Sequence, residues 1–421
     1  MSPTASRGAV TSPPQPVDDE VTRQATRQRR SLRIAIFTDN DFEKVNGVTT
    51  TLRAVLEHTP DHLDARVYTC DSAGIESSDY FSLPAFGVGI PFYGEMKVYY
   101  PPFRRFVTQA IADGVDLVHL TTPGPMGLAA MWTAWRIGVP MIGSFHTDLA
   151  EYTRLLSGSE WLGRLMQQYM RWPYGRCERV FAPSQATRDM LVRGGLDPAK
   201  VDIWRRGVST TRFDPARRSA ALRARWGVSD ARPALIYVGR VSREKGLSLL
   251  QPLSRRLDAA GLAHRLVVVG DGPMRGELEA TCRGAVFTGT LDPDGVAVAM
   301  AAADLFVFPS QTDTAGNVVL EAQASGLPVL VSDVGGPREN LRVGESGFAC
   351  ADLDDFARRA ADLLRDAGQR RRFGEASRRY ALTRRWETAL EPLYKSYASH
   401  AAAKGQGFVP VNHERATMTG S

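Results

Sequence analysis

Phe308-Pro-Ser-Gln-Thr-Asp313-Thr-Ala-Gly316-Asn-Val-Val-Leu-Glu321-Ala-Gln-Ala-Ser-Gly326-Leu-Pro-Val-Leu330 carries its own punctuation. Leu305–Phe308 is an apolar run that reads as a buried strand, and Pro309-Ser310 breaks it. Thr314-Ala315-Gly316-Asn317 opens a helix, which Gly326-Leu327-Pro328 stops before a second apolar run, Val329-Leu330-Val331. The start of a helix in such a strand–loop–helix–strand unit offers backbone N–H groups that favour a phosphate. Asp313 and Glu321 stand eight residues apart, a little over two helical turns, so one carboxylate in the loop and one in the helix reach a common cleft. One suits sugar hydroxyls and the other a ribose.

Outward from this unit, short apolar runs alternate with longer helical patterns. In the first half they are Ile34–Phe37, Val67–Thr69, Leu117–Leu120, Met141–Gly143 and Val180–Ala182. In the second they are Leu235–Val238, Leu266–Val269, Val286–Phe287, Leu305–Phe308 and Val329–Val331. Strands separated by helices indicate parallel sheets of βαβ units, and two sets imply two doubly wound α/β domains with ligands at the carboxyl ends of the strands. The Arg-, Asp-, Pro- and Gly-rich stretch from Arg206-Gly207 to Arg232-Pro233 marks the boundary. The expected division is residues 32–206 and 207–385. Tails at 1–31 and 401–421 are expected to be disordered, since the first has almost no large apolar residues.

The chain has 421 residues, enough for two separate cores, and its 43% hydrophobic and 23% charged content is that of a globular protein. No apolar run approaches the roughly 18 residues of a membrane-spanning helix, and residues 1–31 lack the apolar stretch of a secretory signal, so a cytoplasmic location is expected. Cys70, Cys177, Cys282 and Cys350 are scattered, which reads as reduced thiols rather than a disulfide framework or zinc site. The net charge of +6 comes mostly from Arg and suits nucleotide diphosphates or phospholipid head groups. No nucleic-acid motif is present.

Four further segments carry chemistry. Asn46-Gly47-Val48 follows the first strand, and Gly47 allows close backbone approach of a ligand. Asp39-x-Asp41 in the same loop invites a metal, but lies in the wrong context for one, and no metal is expected. Ser144-Phe145-His146-Thr147-Asp148 ends the fourth strand, with His146 directed at the cleft and Asp148 placed to orient it. Gly239-Arg240-Val241-Ser242-Arg243-Glu244-Lys245-Gly246 follows the strand ending at Val238, so Arg240 as a planar fork and Lys245 as a point charge converge on one diphosphate. Gly270-Asp271-Gly272-Pro273 is a turn, with Gly272 a wall of the nucleotide pocket, and Phe287–Thr290 lines the base. Two segments suit a membrane or acceptor: Lys97–Phe106 interleaves cations with aromatics, and Trp161–Arg176 puts Trp161, Leu162, Leu165, Met166, Tyr169 and Met170 on a helical face beside Arg164 and Arg171. A core stripe is the commoner meaning of such a face.

In combination and in this order, these motifs resemble glycosyltransferase family 4 over residues 33–400, most closely its α-mannosyltransferase and lipid-glycosylating branch. The resemblance implies the GT-B fold: two Rossmann-like doubly wound domains facing a central cleft, with a helix around residues 386–400 crossing back onto the first. It implies that Arg240 and Lys245 bind the donor diphosphate, Glu321 the ribose, and Asp313 and His146 the donor sugar. The amides near Thr314, Ala315, Gly316 and Asn317 cap the phosphates, and Gly47 lies near diphosphate and acceptor. Asp313 stands where Glu is commoner in the family, and Ala315 where a bulkier residue is usual. Implied too is metal-independent, cofactor-free transfer of a hexose with retention, from a nucleotide-diphosphate sugar to a lipid or glycan. Peripheral contact with the anionic inner face of the plasma membrane fits that branch.

The donor stays open between GDP-mannose and a UDP-sugar of the glucosyl or sulfoquinovosyl type, with the lean to mannose resting on resemblance. A nucleotide-sugar 2-epimerase shares the fold but not the motif set. A silent nucleotide-sugar-binding protein is hinted at only by Asp313, against intact Arg240, Lys245 and Glu321.

Overall fold

The computed structural model describes residues 31–40, 46–71, 77–90 and 93–404. Asp41 and nearly all of both expected tails lie outside them. The N-terminal half runs β1 (Leu32–Phe37), α1 (Gly47–Glu57), β2 (Leu63–Asp71), β3 (Tyr80–Pro84), β4 (Gly87–Ile90), β5 (Tyr93–Tyr99), α2 (Phe103–Ala112), β6 (Leu117–Leu120), α3 (Pro125–Ile137), β7 (Met141–Ser144), α4 (Leu149–Ser157), α5 (Glu160–Gly175), β8 (Arg179–Ala182), α6 (Gln185–Arg193) and β9 (Val201–Ile203). The C-terminal half continues with α7 (Ala220–Trp226), β10 (Ala234–Val238), α8 (Leu250–Ala259), β11 (Arg265–Val269), α9 (Arg275–Thr281), β12 (Val286–Gly289), α10 (Pro293–Ala302), β13 (Leu305–Phe308), α11 (Asn317–Ala324), β14 (Val329–Ser332), β15 (Gly347–Cys350), α12 (Leu353–Arg365), α13 (Ala367–Leu382) and α14 (Trp386–Lys404).

The strands form two parallel sheets, ordered β3-β2-β1-β6-β7-β8-β9 and β12-β11-β10-β13-β14-β15. Ile34 to Phe37 and Leu305 to Phe308 are all at most 1% exposed, because helices cover both faces of a parallel sheet and its strands read as unbroken apolar runs. In register, Ile34 of β1 stands beside Leu117 of β6, and Leu235 of β10 beside Leu305 of β13. Strand order reverses at these two junctions, and each leaves a crevice at its carboxyl end. The strands that the apolar runs do not announce are β3, β9 and β15, at or next to sheet edges, and the antiparallel hairpin β4–β5. Short edge strands carry polar or small residues, as in Val201-Asp-Ile203 and Gly347-Phe-Ala-Cys350.

The chain crosses between the sheets twice, at neighbouring points. Trp204 packs in the first core and Val208 in the second. On the return, Val208 N donates to the Arg384 carbonyl at 2.8 Å. A Cβ on Gly207 would lie 2.6 Å from the Trp386 Cα, so this close crossing requires glycine. Helix α14 then seals the first sheet: Leu390, Leu393, Tyr394 and Tyr397 pack among Ile34, Ile36, Leu52 and Val55, and the Tyr394 hydroxyl donates to the Val55 carbonyl at 2.7 Å. The helix runs to Lys404, past the expected end near residue 400, since Ala401–Ala403 favour helix. All four cysteines are free and buried. Among the described residues no helix is long and apolar enough to cross a membrane.

Candidate active site

The loops at the β10/β13 junction are tied into one body. Thr312 Oγ1 donates to the Glu244 carbonyl at 3.0 Å, and Ser332 Oγ to the Pro309 carbonyl at 2.8 Å. Gly316 turns the chain into α11 at φ +66°, where a Cβ would lie 2.8 Å from the Pro337 Cα; only glycine fits this turn without strain. The Asn340 amide clamps the same turn through the Ala315 and Gly316 carbonyls. Gly272 has a packing role beside any pocket role: a Cβ there would lie 2.4 Å from the Val241 carbonyl, so the 270 loop presses directly on the 240 loop. The Tyr237 hydroxyl, donating to the Arg240 carbonyl at 2.7 Å, fixes the start of that loop.

Asp313 is the hub of this cluster. Its Oδ2 accepts from Lys245 Nζ at 2.8 Å, and its Oδ1 accepts from the amides of Gly316 at 2.7 Å and Ala315 at 3.2 Å. Burial would raise the Asp313 pKa, but the Lys245 ammonium and the two amides outweigh it and hold the carboxyl below its usual value. Burial likewise opposes the Lys245 charge, and Asp313 more than compensates. A carboxylate thus holds the Ala315 and Gly316 amides, two of those expected at the donor phosphates, as a helix start with its positive end favours. The amides of Asn317 and Val318 begin α11 with no acceptor among the described residues.

The wall from the other half is built around His146, which is half-buried. Arg206 Nη2 meets its Nδ1 at 3.2 Å. A guanidinium only donates, so Nδ1 accepts and the proton sits on Nε2, directed at Ser144 Oγ at 2.8 Å. Ser144 Oγ continues to His119 Nε2 at 2.8 Å, and His119 Nδ1 to the Tyr397 hydroxyl at 2.7 Å. Burial, with Arg206 adding to it, holds His146 well below the ordinary histidine pKa and pulls His119 down to about 3, so both are neutral. Both ring nitrogens of His146 are thus held by protein. Its orienting partners are Arg206 and Ser144, and Asp148 instead caps α4 through the Glu151 amide at 3.0 Å. Arg206 is 2% exposed, stacks on Trp204 at 4.2 Å and has no carboxylate in ion-pair range among the described residues. In the sequence Arg206 marks only a domain boundary. Tyr152 of α4 was missed as well: burial raises its pKa, and Lys245, Asp313, Glu244 and Arg240 all act on it, which puts an N-terminal hydroxyl against the C-terminal cluster.

Thr314, expected at the donor, donates its hydroxyl across the cleft to the His146 carbonyl at 2.7 Å. Asn317 Nδ2 reaches the Gly47 carbonyl at 3.4 Å and Thr51 Oγ1 at 3.3 Å. Asn46 caps α1 with a capping box, so the Asn46-Gly47 pair presents that helix start to α11. Glu321 lies beyond, on the wall of a cleft of about 620 Å³ that Thr49, Ser209, Arg212, Leu291 and Asn317 also line. No described residue bonds its carboxylate, and burial pushes its pKa up to about 7 against the pull of Arg212. Asp39 takes another role: its carboxylate accepts from the Met126 amide at 2.8 Å and from Thr122 Oγ1 at 2.5 Å, which caps α3. Among the described residues no group of His, Cys, Asp and Glu is placed to hold a metal.

Residues 45–212 match the family described as Glycosyltransferase Family 4, and residues 232–366 match Glycosyl transferases group 1. A GDP-mannose-dependent alpha-mannosyltransferase of Corynebacterium glutamicum is 30% identical over 386 residues, spanning 88% of this chain and 89% of the relative. The chain belongs to glycosyltransferase family 4. This family 4 glycosyltransferase is also 29% identical over 381 residues to a sulfoquinovosyl transferase of Arabidopsis thaliana, spanning 88% of this chain and 74% of that one. Its two sheets form a GT-B fold, matched by the structure of sucrose-phosphate synthase from Thermosynechococcus elongatus with a TM-score of 0.70 at 20% identity, over 88% of this chain and all of that one.

Proposed function

We propose that this glycosyltransferase moves a hexose from a nucleoside-diphosphate sugar to a lipid or glycan acceptor with retention of anomeric configuration, and that the donor is GDP-mannose. The observation that carries the reading is that the loop bearing Arg240 and Lys245 meets the start of α11 through Asp313, and that Asn317 of this start lines one cleft with Glu321, whose carboxylate no described residue bonds. Guanidinium, ammonium and amides match a diphosphate, and an ionised Glu321 accepts from two ribose hydroxyls. The GDP-mannose donor rests on the Corynebacterium relative. A UDP-sugar is the second reading, supported by similarity to the Arabidopsis sulfoquinovosyl transferase.

The chemistry follows from charge. An arriving diphosphate competes with Asp313 for Lys245 and for the loop amides, and a displaced Asp313 is free to accept from sugar hydroxyls. The bond from the anomeric carbon to the diphosphate oxygen breaks with its electron pair going to that oxygen. The acceptor hydroxyl attacks from the same face and passes its proton to the departing diphosphate. Arg240, Lys245 and the α11 amides stabilise the charge that builds there; fixed donors of this kind are worth on the order of 3 kcal/mol each. With this much positive charge at the leaving group, the reading assigns no step to a metal ion.

Mass spectrometry of a nucleotide-sugar panel turned over with membrane lipid extract tests the reading. Donor loss with a hexose-shifted lipid, abolished by Arg240→Ala and Glu321→Ala, is expected. An inverted product anomer in NMR would refute retention, and donor binding without turnover on any acceptor would refute the transferase.

A further inference from the structure

Strand β6 is apolar except at its third residue, in Leu117-Val118-His119-Leu120. His119 is fully buried, and its registered neighbours on the two flanking strands are Ile36 and Ile142. Tyr397 of α14 packs among the same two isoleucines. A core of this kind needs no imidazole. Apolar groups of the same shape in place of both partners would hold the fold about as well, so the reason for His119 lies in what it connects.

It connects α14 to the cleft. From the Tyr397 hydroxyl the chain of hydrogen bonds enters His119 at Nδ1, leaves at Nε2 for Ser144 Oγ, and reaches His146 at Nε2. Arg206 closes it on the other ring nitrogen. Ser144 and Tyr397 are as buried as His119, which shields these bonds from solvent and strengthens them. The three contacts from His146 to Tyr397 need three protons, and the four neutral groups carry four. Turning the His146 ring by half a turn would put carbon where each nitrogen stands and break both of its bonds. The ring is therefore gripped in one orientation.

The grip matters through the main chain of His146. The residue lies beyond the end of β7, and its carbonyl accepts from Thr314 Oγ1 across the cleft at 2.7 Å. Thr314 adjoins Asp313, which holds Lys245 and the amides at the α11 start. A fixed side chain at His146 thus fixes the point where the N-terminal wall meets the loop of the other half. Site groups keep their geometry when hydrogen bonds behind them lock their rotamers.

We propose that Ser144, His119 and Tyr397 are positioning residues of this transferase, a buried chain that anchors His146 to α14 and holds the cleft wall against the Asp313 loop. The proposal rests on the proposed function for its kinetics, while its spectra need no turnover. Long-range proton–nitrogen NMR of the full chain with isotope-labelled histidine is expected to show His146 as one neutral tautomer, protonated at Nε2. The signal is assigned by its loss in His146→Asn. Ser144→Ala is expected to turn it into an average of two tautomers. In kinetics Ser144→Ala is expected to lower kcat about tenfold, the lower end for a residue that orients a site group. Nucleoside-diphosphate affinity in titration calorimetry stays unchanged, because Arg240, Lys245 and Glu321 belong to the other half. Tyr397→Phe removes only a hydroxyl and keeps the ring in the core, and it is expected to lower kcat less. The double variant S144A/Y397F is expected to do no worse than Ser144→Ala, since a chain already cut beside His146 transmits nothing from Tyr397. An unchanged His146 signal in Ser144→Ala, losses that multiply in the double variant, or nucleotide affinity falling along with kcat would overturn the proposal. A wild type that transfers no hexose would defeat the proposed function instead, and the His146 spectra alone would then decide the chain.

Discussion

At the scale of single residues, the site combines groups whose protonation is set by burial. Glu321 titrates at about 7 in the folded chain, above the ordinary glutamate range, so ionisation is disfavoured by folding and the penalty grows as pH rises from about 4.5 to 7. Glu321→Gln is therefore expected to raise the melting temperature of the ligand-free protein by a few degrees at pH 8 and hardly at all at pH 5, in calorimetry at both values. In the ribose contact proposed for Glu321 only a carboxylate can accept from both hydroxyls, so wild-type nucleotide affinity is expected to rise between pH 6 and 8, and the Gln variant to bind weakly without that rise, as read by titration calorimetry. Arg206 acts through His146. Arg206→Lys keeps a charge but loses the fork and the stacking on Trp204. We expect kcat to fall about tenfold, the lower end for a residue that orients a site group, with nucleotide affinity nearly unchanged. Lys245, Asp313 and Glu321 were legible in sequence because their spacing is tied to one loop and one helix. Arg206, Tyr152 and His119 were not, because their importance comes from neighbours such as His146 and Tyr397 that are distant along the chain.

At the scale of elements, sequence spoke plainly where burial is complete. Every apolar run became a strand of one of the two sheets; all but Val286–Phe287, on the half-buried edge strand β12, lie inside a sheet, where a parallel strand has no polar face to interrupt it. β3, β9 and β15 stayed silent, being short and at or next to sheet edges. Helix α5 was half legible: its core stripe is the common meaning of such a pattern, while the exposed Trp161–Leu165–Trp172 line is visible only once the first stripe has found its partner. The start of α11 was read as a phosphate cradle from its glycine, and its occupation by Asp313 depends on a side-chain geometry that spacing alone does not give. Gly316→Ala tests the cradle. At φ +66° and with a Cβ 2.8 Å from the Pro337 Cα, the variant must shift the turn. The expected result is at least a tenfold loss of nucleotide affinity and a stability loss of about 1–3 kcal/mol in urea.

At the scale of the whole molecule, the two halves are drawn together by few bonds with good geometry. Glu339, between β14 and β15, accepts from the Gln185 and Ala186 amides at the start of α6, both at 2.8 Å. Thr314 and Asn317 add the bonds to His146, Gly47 and Thr51. A carboxylate on a helix N-terminus is the strongest of these, because charge assists the bond and the helix dipole adds to it. Glu339→Ala is expected to open the ligand-free protein, seen as a larger radius of gyration in small-angle X-ray scattering, and to raise KM more than it lowers kcat. An unchanged radius would mean that the remaining bonds suffice.

The placement of α14 has a consequence for how the protein is made. Tyr397 and Leu393 complete a core that begins with Ile34, yet roughly 190 residues separate Arg206 from Tyr397. At about 5–20 residues per second on the ribosome, the first sheet waits on the order of 10–40 s with one side covered only in part, by α1, while the whole second sheet is synthesised and folds. A chain stopped at Arg385 would hold a finished C-terminal half and an unfinished N-terminal half, which makes the early nascent chain, more than the mature enzyme, the form most dependent on chaperones.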